Sequence, residues 1–150
     1  MIKKYFFFII LFFLFLGIIY FFLFNNLYKM SLKARMYYSI GDYNKAYTLS
    51  REVYLKDPYN TMSLTTMNGS KVALKYIKYI KEGNKYLQQI ASISGNKKVS
   101  KQQLAKIKII CEIMIGEYDK LKPNIFSDEK LSSKASNIYK KFKKIYEELF

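Results

Sequence analysis

The chain has 150 residues, a net charge of +15 and no histidine. Its single cysteine, Cys111, cannot form a disulfide within the chain, and the lack of histidine excludes a Cys/His metal site. Because histidine is the commonest general base and no glycine-rich phosphate loop is present, we expect no enzyme, no catalytic residue and no cofactor. Arg35 and Arg51 are the only arginines among 26 basic residues, which argues against a specific nucleic-acid reader.

The first predicted element is an apolar helix. After a short basic tail at residues 1–4, residues 5–24 contain no charge and no amide. Twenty helical residues extend about 30 Å, the thickness of a bilayer's hydrocarbon core, so we expect a single transmembrane anchor at residues 5–24. No small-residue cleavage site follows, which favours an uncleaved anchor over a signal peptide. Lys3 and Lys4 favour a single-pass protein of the cytoplasmic (inner) membrane with its N-terminus on the inner, cytoplasmic side. The C-terminal domain would then be periplasmic or extracytoplasmic.

The remaining sequence predicts one small all-α domain. Its only prolines, Pro58 and Pro123, fall between helical patterns, and no run alternates β-branched with polar residues. Helices are predicted at about 27–40, 43–55, from 60 or 61 onward, from Ser100, and after a cap at Ser127. Gly69 and Gly83 leave the third pattern compatible with one long helix or two.

The last two predicted helices carry heptad-like apolar seams, with spacings of three and four residues. Ser100 and Gln103 form a capping-box pattern before the first of them. The first seam consists of Leu104, Ile107, Cys111, Met114, Tyr118 and Leu121, and the second of Leu131, Ala135, Ile138, Phe142, Ile145 and Leu149. Isoleucines at 109, 110, 113 and 115 predict a second covered face, and Cys111 is expected to be a buried thiol. The seams are compatible with packing within one chain or with a homo- or hetero-oligomer.

Residues 27–60 resemble a tetratricopeptide repeat, a helix–turn–helix unit with small residues where its helices cross. The positions that match are Ala34, Tyr37, Gly41, Tyr43, Ala46 and Pro58, whereas Ser50 and Val53 depart from the pattern. The resemblance implies a helical hairpin of a kind that binds proteins or peptides. Because a lone repeat cannot bury its own face, residues 61–150 are expected to supply further helical hairpins of the same domain.

These features favour a membrane-anchored helical adaptor or scaffold that binds other proteins. We expect its partners to be the membrane and other subunits of a bacterial envelope assembly, such as a secretion, pilus or motility machine. Tyrosine buries a large area and keeps a polar tip, so Tyr47, Tyr54 and Tyr59 are the expected partner contacts.

The alternative function is a basic electrostatic tether for anionic lipid, wall polymer or nucleic acid. Leaving out Lys3 and Lys4 still leaves a net charge of +13 on the rest of the chain. The lysines in question are Lys71, Lys75, Lys78, Lys81, Lys85, Lys140, Lys141, Lys143 and Lys144. Their helical spacing also suits the solvated face of an amphipathic helix, and lysine enrichment is typical of AT-rich genomes. The acidic residues Glu112, Glu117 and Asp119 are interpreted as partners in surface ion pairs.

Overall fold

The computed structural model describes residues 2–24, 26–95, 99–121, 123 and 125–150, and within the first helix it describes the side chains of residues 6–20. In these residues every regular secondary-structure element is a helix, which confirms the all-α prediction. The helices are α1 (Ile2–Phe24), α2 (Asn26–Ser39), α3 (Tyr43–Lys56), α4 (Thr61–Ser94), α5 (Lys101–Asp119) and α6 (Glu129–Leu149). The chain divides into two compact units, Met1–Met67 (unit 1) and Asn68–Phe150 (unit 2), so that α4 contributes to both.

The transmembrane anchor predicted for residues 5–24 is contradicted. Within the described residues, no helix is both long enough and apolar enough to cross a membrane. The apolar run does form a helix, α1.

In unit 1, α2 and α3 form a helical hairpin with a tight turn. Gly41 has φ +83, a left-handed conformation that side-chain-bearing residues rarely adopt. Asp42 then begins α3: its carboxylate accepts a hydrogen bond from the Lys45 backbone N–H at 3.2 Å. Ala34 and Ala46, on facing helices, are completely buried. The absence of larger side chains at these two positions allows the two backbones to approach closely.

Hydrogen bonds from buried serines connect α3 to the first turn of α4. The Ser63 hydroxyl donates to the Ser50 carbonyl oxygen at 2.6 Å, and both residues are completely buried. Asn60 accepts from the Ser63 backbone N–H at 3.0 Å, which satisfies one of the donors that a helix start leaves unpaired. The path of the chain out of the hairpin is therefore fixed by polar contacts as well as by packing.

Unit 2 is a helical bundle in which α4, α5 and α6 share one hydrophobic core. Its buried residues are Tyr76, Tyr79, Ile90, Ile107, Ile110, Cys111, Met114, Ala135, Ile138 and Phe142. Both predicted heptad seams contribute to this core, so the seams pack within one chain. Gly83 lies in the second half of α4, where a β-carbon would come within 2.5 Å of Ile138 Cγ2. The predicted weak point of α4 is therefore a close helix contact, and α4 is one helix of 34 residues.

At the last two helices the structure confirms one detail of the sequence prediction and differs in two others. The capping box is confirmed, because Ser100 and Gln103 exchange both hydrogen bonds at the start of α5. The N-cap of α6 is Asp128 and not Ser127: the Asp128 carboxylate accepts from the Leu131 backbone N–H at 3.0 Å. The expected second covered face of α5 is wrong for Ile109 and Ile113, which are 56% and 49% exposed, whereas Ile110 is buried and Ile115 packs against the core.

Candidate binding surfaces

The described part of the structure offers surfaces that could bind a partner. Among the described residues, no three His, Cys, Asp or Glu side chains lie close enough together to hold a metal ion. Cys111 is completely buried, as predicted. Burial, and secondarily the charge of Glu112, raises the pKa of its thiol, which keeps the group protonated and poorly nucleophilic.

A groove of about 500 Å³ lies between α4 and α5 in unit 2. We call it the α4–α5 groove. Its lining residues are Lys75, Lys78, Tyr79, Glu82 and Tyr86 on the α4 side and Ile113, Met114, Glu117, Lys120 and Leu121 on the other. It thus combines an apolar and aromatic lining with charged groups of both signs.

Two tyrosines of α4 fix the geometry of this groove. The Tyr79 hydroxyl donates to the Met114 carbonyl oxygen at 3.1 Å, and the Tyr76 hydroxyl donates to the Leu121 carbonyl oxygen at 2.9 Å. Burial, with smaller contributions from Tyr118, Tyr139 and Asp119, raises the pKa of Tyr79, so its phenol remains a hydrogen-bond donor. These two bonds hold the last turns of α5 against α4.

A ladder of three aromatic rings joins the helices beside the groove. The Tyr79 ring lies 5.8 Å from the Tyr118 ring, which in turn stacks on the Tyr139 ring at a centroid distance of 4.4 Å. The three residues come from α4, α5 and α6. Stacked aromatic pairs of this kind stabilise a fold beyond their buried area, so the groove is built on a rigid support.

The charged groups of the groove differ in how they are paired. Lys120 donates to Glu117 at 2.6 Å, an exposed pair within one turn. Lys75 and Lys78 are exposed and, among the described residues, form no ion pair. The α4 side of the groove therefore presents two positive charges that are available to a ligand.

A smaller groove of about 380 Å³ lies on the α2–α3 hairpin of unit 1. Its lining residues are Lys33, Tyr37, Asn44, Lys45, Thr48 and Leu49. Lys45 Nζ lies 3.0 Å from an Asp42 carboxylate oxygen and 5.2 Å from the centroid of the Tyr37 ring. The hydrogen bond to Asp42 raises the pKa of Lys45. Tyr37, one of the predicted motif residues, thus lines this groove.

The three tyrosines predicted as partner contacts do not line either groove. Tyr47 and Tyr54 are half-buried on α3, and Tyr59 is 93% exposed in the connection between α3 and α4. Two other motif residues lie at the ends of α3: Tyr43 packs its ring 5.4 Å from that of Tyr38, and Pro58 is exposed. The chemistry of tyrosine and the resemblance to the repeat singled out these residues, but neither could indicate which helix surfaces form grooves.

The lysines of the tether hypothesis are all exposed. Of the α6 group, Lys143 and Lys144 lie 3.8 and 3.7 Å from Glu147 and Glu148, one turn further on. The five lysines of α4 form no ion pair among the described residues: Lys71, Lys75, Lys78, Lys81 and Lys85. The row of α4 lysines is therefore a more available positive surface than the α6 group.

Two exposed apolar surfaces complete the set. On α1 every large side chain from Phe6 to Tyr20 is at least 38% exposed, around the whole circumference of the helix. On α5 the isoleucines Ile109 and Ile113 are exposed, and Ile113 also lines one edge of the α4–α5 groove. Comparisons of the chain with family models, with curated proteins and with solved structures gave no match.

Proposed function

We propose that the chain is a helical adaptor that binds other proteins through the α4–α5 groove. The observation that carries the proposal is the composition of this groove: Tyr86, Ile113 and Leu121, which are exposed or half-buried, offer apolar and aromatic contact area, while Lys75 and Lys78 offer unpaired charge. Binding sites typically combine a mainly apolar lining with a few oriented polar groups. An extended segment of a partner, with an apolar side chain beside an acidic one, fits this chemistry.

We propose binding rather than catalysis for this groove. Its titratable side chains are lysines, glutamates and tyrosines, and the pKa of Tyr79 is raised, which makes that phenol a poorer base at neutral pH. The resemblance of residues 27–60 to a protein-binding repeat points in the same direction and stays a prediction. The role as a subunit of an envelope assembly and the location of the domain outside the cytoplasm also stay predictions. A reporter fused after Phe150 would test the location.

Site-specific photo-crosslinking in cells tests the groove. A photo-reactive residue at Lys78, in the full chain, should capture a discrete protein. The same residue at Lys141, an exposed lysine of α6 outside the groove, is the matched control. Equal capture at both positions, or none at Lys78 with several crosslinkers, would contradict the proposal.

We also propose that membrane lipid covers the apolar side chains of α1. Phe8, Phe12 and Phe15 are 59–64% exposed, and apolar surfaces of this extent mark interaction sites. The full chain should float with uncharged phosphatidylcholine vesicles even at high salt, because the contact is apolar. A variant with these three phenylalanines replaced by serine should float less. A wild-type chain that stays unbound would refute lipid as the cover.

The second candidate function is the electrostatic tether, which the row of unpaired α4 lysines supports. Replacing Lys71, Lys81 and Lys85, which lie outside the groove, separates the two functions. If the chain is a tether, these changes should weaken binding to anionic vesicles, and affinity should fall steeply with salt. If it is an adaptor, capture of the partner at Lys78 should persist in about 0.3 M salt, where the Debye length is well below 10 Å.

A further inference from the structure

The side of α5 that faces away from the core carries a short apolar row. Four residues define it at spacings of four, four and three, which places them on one helix face: Ala105, Ile109, Ile113 and Gly116. All four are exposed, and a β-carbon at Gly116 would meet nothing within 4 Å. We call this row the α5 outer face. Its small residues at both ends and large residues in the middle would let another helix approach closely.

The charges beside this row are separated along the helix. The first half of α5 carries Lys101, Lys106 and Lys108 and no acid, whereas the second half carries Glu112, Glu117 and Asp119 and no lysine, with Lys120 directly after the helix. All of these side chains are exposed. A helix that lies antiparallel to α5 and carries the same charge separation is therefore its electrostatic complement.

We propose that the α5 outer face binds the same face of a second copy of this chain, with the two α5 helices antiparallel. In one register Ile109 lies against Ile113 of the second copy, and Ala105 lies against Gly116. The same register pairs Lys108 with Glu112 and Lys101 with Asp119 along one margin, and Lys106 with Glu117 along the other. Every pair has its midpoint between residues 110 and 112, so one two-fold axis generates them all, as a self-complementary interface requires.

Charge distinguishes the second copy from other occupants. A parallel pair of α5 helices would set lysines beside lysines and acids beside acids. An anionic lipid surface would repel the acidic half of the face. The contacts within the chain leave the charges available, because the Lys120–Glu117 pair and the Tyr146–Glu112 hydrogen bond of 3.3 Å are both exposed.

The interface is small, which sets the expected strength of the dimer. The 19 residues of α5 extend about 28 Å, and a single helix pair buries less than the roughly 1,200 Å² of a standard stable interface. Phe150, 48% exposed with Lys108 Nζ 5.6 Å from its ring, adds apolar surface at one margin. We therefore expect a weak dimer that forms where the chain is concentrated.

Disulfide trapping between two tagged copies of the full chain, in mild detergent, tests the register. In a Cys111→Ala background, one copy carries Ile109→Cys and the other carries Ile113→Cys. The mixture should form a 109–113 disulfide between copies. The matched control mixes Lys134→Cys with Lys141→Cys, two exposed positions on α6. Since only position-specific bonds are counted, association through α1 cannot produce the expected result. A yield no higher than that of the control would overturn the proposal.

Charge reversal provides a second readout. Recovery of the yield in a mixture of two variants separates loss of the charge pairs from misfolding of either variant. Lys108→Glu on both copies, or Glu112→Lys on both copies, should lower the trapping yield about tenfold, because two exposed pairs change from attraction to repulsion. Mixing one copy that carries Lys108→Glu with one that carries Glu112→Lys restores opposite charges at both pairs and should restore the yield. If the mixture of Lys108→Glu with Glu112→Lys gives the same yield as either variant on both copies, the antiparallel register is refuted.

Discussion

Replacing Gly83 by alanine is the sharpest test of how unit 2 is packed. A β-carbon at this position would lie 2.5 Å from Ile138 Cγ2, 3.3 Å from Met114 Cε and 3.5 Å from Phe142 Cε2. The methionine methyl is the end of a flexible side chain and can move. Ile138 Cγ2 branches directly from Cβ and is fixed by the backbone of α6, so one helix must shift.

The magnitude follows from two opposing effects. Alanine in place of glycine inside a helix contributes about 1 kcal/mol of stability, whereas overpacking a core costs about 1–3 kcal/mol. We therefore expect Gly83→Ala to lower the free energy of unfolding, by up to about 2 kcal/mol. Gly116→Ala, in the interior of α5, gains the same propensity without a clash and should raise it by about 0.5–1 kcal/mol.

Urea unfolding of the full chain in mild detergent, followed by near-ultraviolet circular dichroism of the buried tyrosines, measures both variants under identical conditions. Leucine has no branch on Cβ, so Ile138→Leu should recover part of the loss in the Gly83→Ala background, with a coupling of about 1 kcal/mol. If Gly83→Ala proves as stabilising as Gly116→Ala, α5 and α6 do not cross α4 as described.

Three further predictions concern the hairpin, the groove and the thiol. Gly41→Ala should destabilise the hairpin by about 1 kcal/mol, because alanine is disfavoured at φ +83; urea unfolding measures this, and no loss would contradict the left-handed turn. Tyr79→Phe should lower the free energy of unfolding by about 1 kcal/mol, because it removes the hydrogen bond to the Met114 carbonyl oxygen. This loss should shrink at alkaline pH. The raised pKa of Tyr79 stabilises the wild-type fold below the ordinary phenol pKa, and this contribution is lost as pH rises. Cys111 should resist alkylation by iodoacetamide until the chain unfolds, and fast labelling of the native protein would contradict its burial.

Local chemistry made part of this fold readable from the sequence. The break at Gly41, the stop before Pro58 and the capping box at Ser100 each depend on residues within one or two turns, so their patterns predicted the helix ends to within one or two positions. Ser127 and Asp128 are neighbouring cap candidates, and the sequence alone could not choose between them. The carboxylate of Asp128 takes this role by accepting from Leu131.

Features that depend on tertiary packing could not be predicted in this way. Gly83 interrupts a helical pattern in the sequence, yet in the fold it provides the space that Ile138 and Met114 occupy. Ile109 and Ile113 have the same apolar character as Ile110, which is 6% exposed, but the described part of the chain covers only one side of α5. The grooves likewise require knowledge of which helix pairs lie side by side.

The two exposed apolar surfaces call for different partners because their flanking charges differ. Around α1, the described side chains from Phe6 to Tyr20 carry no charge on any side, so nothing directional limits what covers them. On α5, two isoleucines lie between margins that carry both signs of charge in a fixed order. The second surface is therefore complementary to a surface that carries its charges in the reverse order. The α5 helix of a second copy, when antiparallel, carries its charges in that reverse order.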